Sequence, residues 1–594
     1  MENHPFPQRP PLYAKGHIDC PYEGRDMLDL PEYNRGTGFT IAERDEFQLH
    51  GLLPSSVQTL RNQTDRAYSQ FCKLSTSLEK NTFLMSLKVQ NEVLYFRLLL
   101  DHIVEVFPVV YTPTESEAIE NYSRLFRRPE GCFLDINHPE HVEQSLMALG
   151  NPEDIDYVIV SDGEEILGIG DQGVGAIGIS SAKAVLMTLC AGVHPDRCLP
   201  VALDVGTDNP SLLNDMLYLG NRHSRVRGKR YDDFVEIFVQ AVRKLFPRAI
   251  LHFEDFGLPN ARRLLEIYRP QLGCFNDDVQ GTGAVTLAAL IAAIRVTGLR
   301  MKDMRFVIFG AGTAGTGIAD QIRDWIAKEI QTDGGSDEPS SAATGHIWLV
   351  DKPGLLLASM GEKLTPAQKG YARSDESEWV GVDTTSLFEI VRGVQPHVLI
   401  GTSTKPRAFT AQVLTEMARH VERPIVFPLS NPTRLHEATP VEIFSATEGR
   451  ALVATGSPFN PVNGRTIAEN NNCFIYPGLG LGAVLSRASA ITDEMIEAAV
   501  EALAELSPTA TQSKDDAPLL PDISDIRQIS AHIASAVVLC AVGQGVARVE
   551  EMFPGTVVPR DRLSCLGWVE EQMWEPTYKP LHKIRKKNCV GVEL

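Results

Sequence analysis

Alternating strand-like and helix-like segments fill most of the chain after about residue 155. Short apolar runs, most of them ending in acidic or small residues, alternate with stretches whose apolar positions recur at helical spacing. Because this β–α–β–α order is typical of parallel sheets, we predict an α/β fold with two parallel sheets. The first sheet is predicted from strands at 157–162, 199–206, 249–257 and 273–278, and the second from strands at 305–310, 347–351, 397–403, 425–430 and 451–456.

The segments around these strands are predicted to be helical or irregular. Residues 1–40 are rich in Pro and Gly, which predicts an extended arm. Between 87 and 107 the apolar spacing is helical, and the predicted helix ends at Pro108. A Gly/Ser/Pro/acid-rich stretch at 331–344 predicts an exposed loop. The other predictions are a mainly helical region at 41–130, helices at 231–245, 259–269, 492–506 and 528–550, a loop at 507–526 and an irregular, basic tail within 551–594.

The overall composition excludes several classes of protein. The 594 residues include 56 Lys and Arg against 76 Asp and Glu, a formal charge of −20, and 43% are hydrophobic. So large an apolar share excludes wholesale disorder. The acidic balance argues against a nucleic-acid partner, whose phosphates need a basic face. An anionic small substrate would need local cations or a metal.

Cysteine usage and apolar stretches bear on the compartment. Ten cysteines without a CxxC pair predict reduced, mostly buried thiols rather than a disulfide framework or a zinc site. The N-terminal sequence lacks the apolar core of a secretory signal, so we expect a cytoplasmic protein, with the mitochondrial matrix as the alternative. The longest apolar stretch, Ala284–Ile294, is too short to cross a bilayer and predicts a buried helix, so no membrane partner is expected.

Two GxGxxG motifs occur, at 168–173 and at 310–315. The second follows the predicted strand RFVIF, opens a helical segment and precedes a strand that ends in Asp351, which is the context of a dinucleotide site. Asp351 lies 41 residues after Gly310, about twice the usual distance. The 331–344 loop would absorb the excess, and a tight turn without a ligand is the alternative. The predicted cofactor residues are Gly310, Gly312, Thr313, Ala314, Gly315 and Asp351.

The first glycine motif has a different context. The residues before it, SDGEEIL at 161–167, predict a hairpin rather than a buried parallel strand. A loop so rich in glycine lets the backbone approach a ligand closely, although a packed turn would need the same residues. The segment after it predicts a helix that runs through Lys183 to Cys190.

Four acidic residues follow two of the predicted strands. Glu254 and Asp255 end one strand, and Asp277 and Asp278 end another. Ligands of open α/β sheets bind outside the carboxyl ends of the strands. Four carboxylates cannot all ionise in a dry crevice without a cation, and oxygen ligands suit Mg²⁺ or Mn²⁺. The pattern therefore favours a divalent metal site, with helix caps as the alternative.

Four further side chains have both a structural and a chemical interpretation. Lys183 lies in a largely apolar helix, where a lysine usually extends its amine to the surface, but beside carboxylates it could carry protons. Tyr111, between an apolar run and Pro113, is at such a position more often a core residue than a catalyst. An Asx turn is the default interpretation of Asn431, which follows a strand, and a polar loop is the simplest interpretation of Asn472; a ligand contact is the alternative for each.

Eight motifs in the same order give the chain a family resemblance. From about residue 20 to 580 it resembles a malic enzyme of the large eukaryotic and bacterial type. That family oxidatively decarboxylates L-malate to pyruvate and CO₂ with NAD or NADP and Mn²⁺ or Mg²⁺, and usually forms tetramers built as dimers of dimers. The motifs are YTPT at 111, SDGE-ILGIGDQGVG at 161–175, LPVALDVGTDN at 199, HFEDFGLPNA at 252, CFNDDVQGT at 274, GAGTAG at 310, LSNPT at 430 and NNCFIYPG at 471.

The resemblance implies a role for each candidate residue. A neutral lysine and a tyrosine, each tuned by its neighbours, would serve as base and acid near pH 7. The implied assignments are Glu254, Asp255 and Asp278 as metal ligands, Lys183 as general base on the 2-hydroxyl with Asp277 near it, Tyr111 as the acid that protonates the enol, Asn431 and Asn472 as amides that contact malate, and Asn431 also as a cofactor residue.

One position departs from the family pattern. Many members carry Arg in the DGE-x-ILG motif, where it holds a malate carboxylate, and this chain has Glu165 there. An acid cannot replace the bidentate grip of Arg on a carboxylate. Either another cation substitutes or Glu165 points away from the substrate.

These motifs define the expected activity and domains. Asp351 followed by Lys352 favours NAD over NADP, malate is the expected small-molecule partner, and a homotetramer is the expected assembly. A malolactic enzyme, which makes lactate with bound NAD, and a catalytically silent nucleotide-sensing scaffold are the alternatives. The predicted domains are an arm at 1–40, a helical domain at 41–130, a substrate and metal domain at 131–280 plus 472–550, a Rossmann-type dinucleotide-binding domain at 281–471 and a tail at 551–594.

Overall fold

Two parallel β-sheets, joined by a stack of apolar helices, form the centre of the protein. The computed structural model describes residues 16–150, 153–335, 338–374, 376–512 and 516–584. The prediction of an α/β fold with two parallel sheets is confirmed. The predictions for residues 1–15 and 585–594 lie outside the described residues.

The N-terminal region is mainly helical. Residues 16–40 do not form the predicted extended arm, because they contain a strand and a helix that pack into a small apolar cluster of Cys20, Met27, Phe39 and Phe47. The elements are β1 (Ile18–Cys20), α1 (Gly24–Leu28), α2 (Ile41–Glu46), α3 (Leu60–Phe71), α4 (Ser77–Lys88), α5 (Glu92–Asp101), α6 (Ile103–Val110) and α7 (Thr114–Glu120).

The single helix predicted from 87 to 107 is wrong. The chain breaks after α4, where the Asn91 side chain accepts from Leu94 N at 2.9 Å and caps α5, and it breaks again at His102. Pro108 lies inside α6 instead of ending the helix. A proline leaves the carbonyl four residues earlier unpaired, and that carbonyl belongs to Val104, which is 59% exposed and open to water.

The first sheet has five strands in the order β2-β4-β3-β5-β6, all parallel. A π-helical turn at Asp277–Gly281 follows it and leads directly into α13. Such turns are frequent at functional sites. The elements are β2 (Cys132–Asp135), α8 (Val142–Met147), β3 (Tyr157–Ser161), α9 (Ala176–Ala191), β4 (Cys198–Asp204), α10 (Pro210–Leu213), α11 (Lys229–Leu245), β5 (Ile250–Phe253), α12 (Leu258–Tyr268), β6 (Cys274–Asn276) and α13 (Thr282–Thr297).

The second sheet has seven strands in the order β13-β12-β11-β10-β7-β8-β9, and only the β8–β9 pair is antiparallel. The predicted loop at 331–344 is wrong in part, because helices occupy both of its ends. The elements are β7 (Phe306–Phe309), α14 (Thr313–Thr332), α15 (Pro339–Thr344), β8 (Ile347–Asp351), β9 (Gly354–Leu355), α16 (Pro366–Lys369), α17 (Leu387–Val394), β10 (Val398–Gly401), α18 (Ala411–His420), β11 (Ile425–Pro428), α19 (Pro440–Ala446), β12 (Leu452–Thr455) and β13 (Ala468–Glu469).

The C-terminal region is helical and ends in a strand. The helix predicted at 528–550 ends earlier, at Gly543, and the predicted irregular tail contains a helix and a strand. That strand pairs in parallel with β1, with Asp19 opposite His582. The elements are α20 (Tyr476–Ser486), α21 (Asp493–Glu505), α22 (Pro508–Thr511), α23 (Ile526–Gly543), α24 (Val549–Met552), α25 (Arg562–Gln572) and β14 (Leu581–Lys583).

A stack of buried helices links the two sheets. Helix α9 packs on β3 and β4, α20 packs on α9 and α23, and α13 packs on α14 beside the second sheet. Three segments are long and apolar enough to cross a membrane by length and composition, at 173–191, 277–297 and 523–543. Their apolar windows are 89%, 78% and 56% buried within the fold, respectively. The second of these contains Ala284–Ile294, which forms part of the buried helix α13 as predicted.

Candidate active site at the carboxyl ends of the first sheet

The register of the first sheet brings the four strand-end acids together. Phe253 of β5 pairs with Asn276 of β6, so the residues that follow each strand meet at one edge. Carboxylate oxygens of Glu254, Asp255 and Asp278 all lie within 4.8 Å of one another. These are the three residues predicted as metal ligands.

The electrostatics of the three acids fit a divalent cation. Burial raises the pKa of Glu254 to about 8 and that of Asp278 to about 7, and it raises the pKa of Asp255 well above its ordinary value. Lys183 opposes each shift, while repulsion from neighbouring acids, which for Glu254 means Asp277, adds to it. A divalent cation would restore the charged forms, and an all-oxygen set suits Mg²⁺ or Mn²⁺ rather than zinc.

Asp255 has an unusual backbone conformation that orients it. Its φ is +53°, in the left-handed region, which Asp adopts more readily than most residues. Its N–H donates to Oδ2 of Asp278 at 2.8 Å, and its own Oδ2 accepts from the backbone N–H of Leu167 at 3.2 Å. The backbone thus ties the two strand ends and the first glycine loop to one carboxylate cluster.

Lys183 contacts Glu254 of this cluster and the neighbouring Asp277. It extends from α9 and is 1% exposed, and its Nζ lies 2.5 Å from Oδ2 of Asp277 and 2.9 Å from Oε1 of Glu254. Burial lowers the pKa of Lys183, but attraction to Asp277 and Glu254 outweighs it, so the pKa stands well above its ordinary value. These two acids alone therefore favour the charged amine, whereas the sequence led us to expect a neutral lysine.

Tyr111 lies beside the same lysine. It is 4% exposed at the end of α6, and the Lys183 amine lies 5.5 Å from the centre of its ring. Burial raises the pKa of Tyr111 well above its ordinary value, while Lys183 lowers it. The phenol is protonated at neutral pH, which is the form that an acid needs.

The two predicted asparagines occupy different parts of the crevice. Asn472 donates through Nδ2 to Oδ2 of Asp277 at 3.0 Å, and so joins the lysine cluster. Asn431 instead accepts from the hydroxyl of Ser457 at 2.5 Å. The other carboxylate oxygen of Asp277, Oδ1, is buried and has no hydrogen-bond partner among the described residues, which leaves an acceptor for a ligand.

The first glycine loop touches both halves of the crevice. Ser161 ends the buried parallel strand β3, so the hairpin predicted at 161–167 is wrong; the short turn that does form is closed by a bridge between Ile166 and Gly170. A side chain at Gly168 would lie 1.9 Å from the carbonyl of Asn431. Glycine is therefore required there for close contact with the LSNPT loop.

Glu165 is an exposed residue of this loop. Its N–H donates to the carbonyl of Asp255 at 3.3 Å. Partial desolvation and repulsion from Asp278 and Glu164 raise the pKa of its carboxyl. Arg227 forms an ion pair with the neighbouring residue, Glu164, at 2.6 Å, so the positive charge of Arg227 is already partly compensated.

The second glycine motif has the geometry of a dinucleotide turn. Gly310 follows β7 with φ +111°, and a side chain at Gly315 would lie 1.8 Å from the Gly310 carbonyl. A side chain at Gly312 would meet nothing within 4 Å. Open space therefore lies where the pyrophosphate of a dinucleotide would approach the protein backbone. Ala314 is partly exposed, and the Thr313 hydroxyl is buried with no hydrogen-bond partner in the described part of the chain.

Asp351 lies at the expected end of the neighbouring strand. Strands β7 and β8 pair in parallel, with Phe309 opposite Val350, so Asp351 lies beside the glycine turn. Gln368 donates to Oδ2 of Asp351 at 3.0 Å and to the carbonyl of Ala311 at 2.9 Å. The unusual spacing is accounted for by the long helix α14 and the extra helix α15 between the strands.

Several residues of the crevice were not predicted. Gln368 links the glycine turn to Asp351, and the Lys183 amine lies 4.8 Å from the centre of the Tyr476 ring. His252 donates to or accepts from Glu254 at 2.6 Å. The alternation of strand β5 was a usable signal for His252, because residues two apart lie on the same face of a strand.

Comparison with known proteins gives the family. Residues 88–269 match the family model described as the malic enzyme N-terminal domain, and residues 279–542 match the malic enzyme NAD binding domain. The mitochondrial NAD-dependent malic enzyme of Saccharomyces cerevisiae is 53% identical over 98% of this chain and 86% of its own length. The NAD-dependent malic enzyme of Schizosaccharomyces pombe is 44% identical over 96% of this chain and 100% of its own length.

A solved structure agrees with the fold. The crystal structure of Entamoeba histolytica malic enzyme matches with a TM-score of 0.50 and 23% identity, over 89% of this chain and 98% of its own. At that identity the match speaks for the fold alone. The sequence relatives and the two family models show that the chain belongs to the malic enzyme family, and the predicted family resemblance is confirmed.

Proposed function

We propose that this protein is a malic enzyme that uses NAD and Mn²⁺ or Mg²⁺ to convert L-malate to pyruvate and CO₂. The observation that carries the proposal is the position of Lys183, whose amine lies between Asp277 and Glu254 at the rim of the three-acid cluster. A scaffold would need neither a buried amine nor buried acids, because each costs free energy on burial.

The residues of this chain account for the proton movements of the reaction. Glu254, Asp255 and Asp278 would hold the divalent cation, which, once bound, supplies Lewis acidity as the carboxylate leaves. Lys183 takes the proton of the 2-hydroxyl while malate is oxidised at C2. Tyr111 then gives a proton to C3 of the enol after CO₂ has left. The two groups lie close together in the crevice, with the Lys183 amine 5.5 Å from the centre of the Tyr111 ring.

The charge of Lys183 depends on what fills the acid cluster. With the acids alone, its pKa stands well above the ordinary value. A divalent cation beside Glu254 would oppose that attraction and favour the neutral amine. Lys183 would thus be neutral, and able to accept a proton, only when the divalent cation is bound.

NAD is the proposed dinucleotide. The two yeast relatives are named NAD-dependent. In this chain Asp351 lies at the strand end beside the glycine turn, where a carboxylate would accept from a ribose 2′-hydroxyl and repel a 2′-phosphate. Initial rates with each dinucleotide would test this, and a lower KM for NADP would contradict it.

Product analysis is the decisive experiment for the activity. The purified protein is incubated with L-malate, Mn²⁺ and NAD. We expect stoichiometric NADH and pyruvate. Lactate without net NADH would identify a malolactic enzyme, and no turnover with retained NAD binding would identify a scaffold.

A homotetramer is the proposed assembly. Four exposed apolar side chains lie on two loops that contact each other through Arg124 and Asp215 at 2.8 Å, which suggests a covered surface in the assembled protein. Replacing Leu219 with Glu should weaken the assembly in sedimentation velocity runs, and an unchanged tetramer would exclude this surface. The four side chains are Phe126, Met216, Leu217 and Leu219.

The proposed compartment is a reducing one. The nine cysteines in the described part of the chain are all unpaired. The Saccharomyces cerevisiae relative is named mitochondrial, and the mitochondrial matrix therefore joins the cytosol as the location to test by cell fractionation.

A further inference from the structure

His252 and Tyr157 form a buried hydrogen-bonded pair behind Glu254. His252 lies on β5 two residues before Glu254, and the Glu254 N–H continues the β3–β5 ladder by donating to Val160, so the His252 and Glu254 side chains share a face. The imidazole Nε2 lies 2.6 Å from Oε2 of Glu254, and Nδ1 lies 3.0 Å from the Tyr157 hydroxyl. All three side chains are at most 1% exposed.

The hydrogen-bond chemistry allows one arrangement of this pair when Glu254 is ionised. A carboxylate only accepts, so Nε2 of His252 must carry the proton and donate it. Nδ1 is then an acceptor, and the Tyr157 hydroxyl donates to it. Each polar atom of the imidazole is satisfied, and the tautomer is set by Tyr157 on one side and Glu254 on the other.

Two aromatic rings pack against the imidazole and restrict its rotation. Its centroid lies 4.6 Å from that of Phe275 and 5.4 Å from that of Tyr476. Helix α20, which carries Tyr476, also passes so close to Tyr157 that a side chain at Gly480 would lie 2.9 Å from a Tyr157 ring carbon. The pair is therefore a rigid support.

Glu254 is held on both of its oxygens. His252 holds Oε2, and Lys183 lies 2.9 Å from Oε1. We propose that His252 and Tyr157 are positioning residues that fix the orientation of the Glu254 carboxylate and thereby set the affinity of the acid cluster for its divalent cation. The inference rests on the proposed metal site.

Direct measurement of Mn²⁺ binding tests the proposal without turnover. Free Mn²⁺ is followed by electron paramagnetic resonance during titration of the full-length protein, with neither malate nor NAD present. His252→Leu removes the donor, and Mn²⁺ should bind about 10–100-fold more weakly, the usual loss when a group that orients a ligand is removed. His252→Gln keeps an N–H donor and should recover most of the affinity.

Two further variants separate positioning from general packing. Tyr157→Phe removes one hydroxyl from the pair and should also raise the Mn²⁺ Kd. Tyr371→Phe is the matched control, because Tyr371 is also buried, at 3% exposed, and donates to Asp320 at 2.6 Å near the second sheet. Its Mn²⁺ Kd should equal that of the wild type.

The outcomes are distinct. A purely structural role would lower the unfolding temperature of His252→Leu and leave its Mn²⁺ Kd unchanged, which would overturn the proposal. If His252→Leu does not fold, a wild-type Kd in Tyr157→Phe would overturn it instead. A wild-type protein that does not bind Mn²⁺ would overturn the metal site itself, and with it this inference.

Discussion

The side-chain amide of Asn472 donates to Oδ2 of Asp277 at 3.0 Å, although the two residues are 195 positions apart. The same oxygen accepts from Lys183 at 2.5 Å. Asn472 comes after the last strand of the second sheet, whereas Asp277 follows the last strand of the first. The crevice is therefore closed by both halves of the chain, and Asn472 links the lysine to the segment that leaves the dinucleotide sheet.

Replacing Asp255 with Asn should abolish turnover and leave NAD binding intact. Asn keeps the shape of the side chain and tolerates the φ of +53°, so the loss would report the missing charge rather than backbone strain. Initial rates with Mn²⁺ and fluorescence titration with NADH would measure the two effects. Full activity of the wild-type protein in EDTA would exclude a metal role for the acids.

The two glycine loops should respond differently to added side chains. Gly312→Val projects into open space, so we expect a stable protein with a strongly raised NAD Kd. Gly315→Ala would lie 1.8 Å from the Gly310 carbonyl, so it should lower the unfolding temperature instead. Bulk at Gly170 should impair malate kinetics. If Gly312 and Gly170 variants exchanged these phenotypes, the loops would be assigned in reverse.

Lys183 and Tyr111 should affect different steps. Lys183→Ala removes the group at the 2-oxygen and should depress malate oxidation, with partial rescue by a small amine. Tyr111→Phe should depress proton exchange at C3 of pyruvate, measured with cofactor and metal bound. Each loss should be about 10²–10⁴-fold, as is usual for general acid–base groups. Exchange at the wild-type rate in Tyr111→Phe would make Tyr111 a core residue.

Glu165→Ala should leave the malate KM unchanged or lower it. The side chain is exposed and is repelled by Asp278, so it does not hold a dianionic substrate. Steady-state kinetics over a range of malate concentrations would measure the change. A large rise in KM would mean instead that Glu165 organises the site.

The stability of the protein should depend on pH through Glu115. Burial raises the pKa of this carboxyl to about 7, while Asn81 at 3.4 Å and Arg127 oppose the shift. The folded state keeps a proton that the unfolded state releases, so this group destabilises the fold as the pH rises from about 4.5 to about 7.

Glu115→Gln should therefore flatten that part of the pH–stability curve, by at most about 3 kcal/mol for a shift of this size. Urea unfolding at several pH values would measure the slope. Glu117→Gln, an exposed position on the same helix α7, is the control. Equal slopes in wild type and Glu115→Gln would contradict the assignment.

The predicted strands were readable because both faces of a parallel strand are buried, which leaves continuous apolar runs such as YVIVS at 157–161. Strands β9 and β13 have two residues each and carry no such pattern. The break before α5 depends on one capping side chain, Asn91, within an otherwise helical apolar pattern. Local spacing could not show it.

The part of the site that could be predicted is the part that depends on residue type alone, without knowledge of tertiary contacts. Acids at strand ends predicted a meeting point, because parallel strands share an edge. The role of His252 depends on Tyr157, which lies 95 positions away in the sequence. Only the register of β3 against β5 brings the two residues together. The charge of Lys183 likewise depends on two acids that the helix pattern does not contain.

The parallel pairing of β1 with β14 also sets an order of events on the ribosome. Asp19 must wait for His582, which is synthesised 563 positions later. At roughly 5–20 residues per second that interval is about half a minute to two minutes. Leu581 packs against the small cluster around Phe39 and Phe47, whose other members all lie before residue 54, so the contact with Leu581 is the last of this cluster to form. A nascent chain will therefore leave the side of this cluster that Leu581 covers open to water until translation is almost finished.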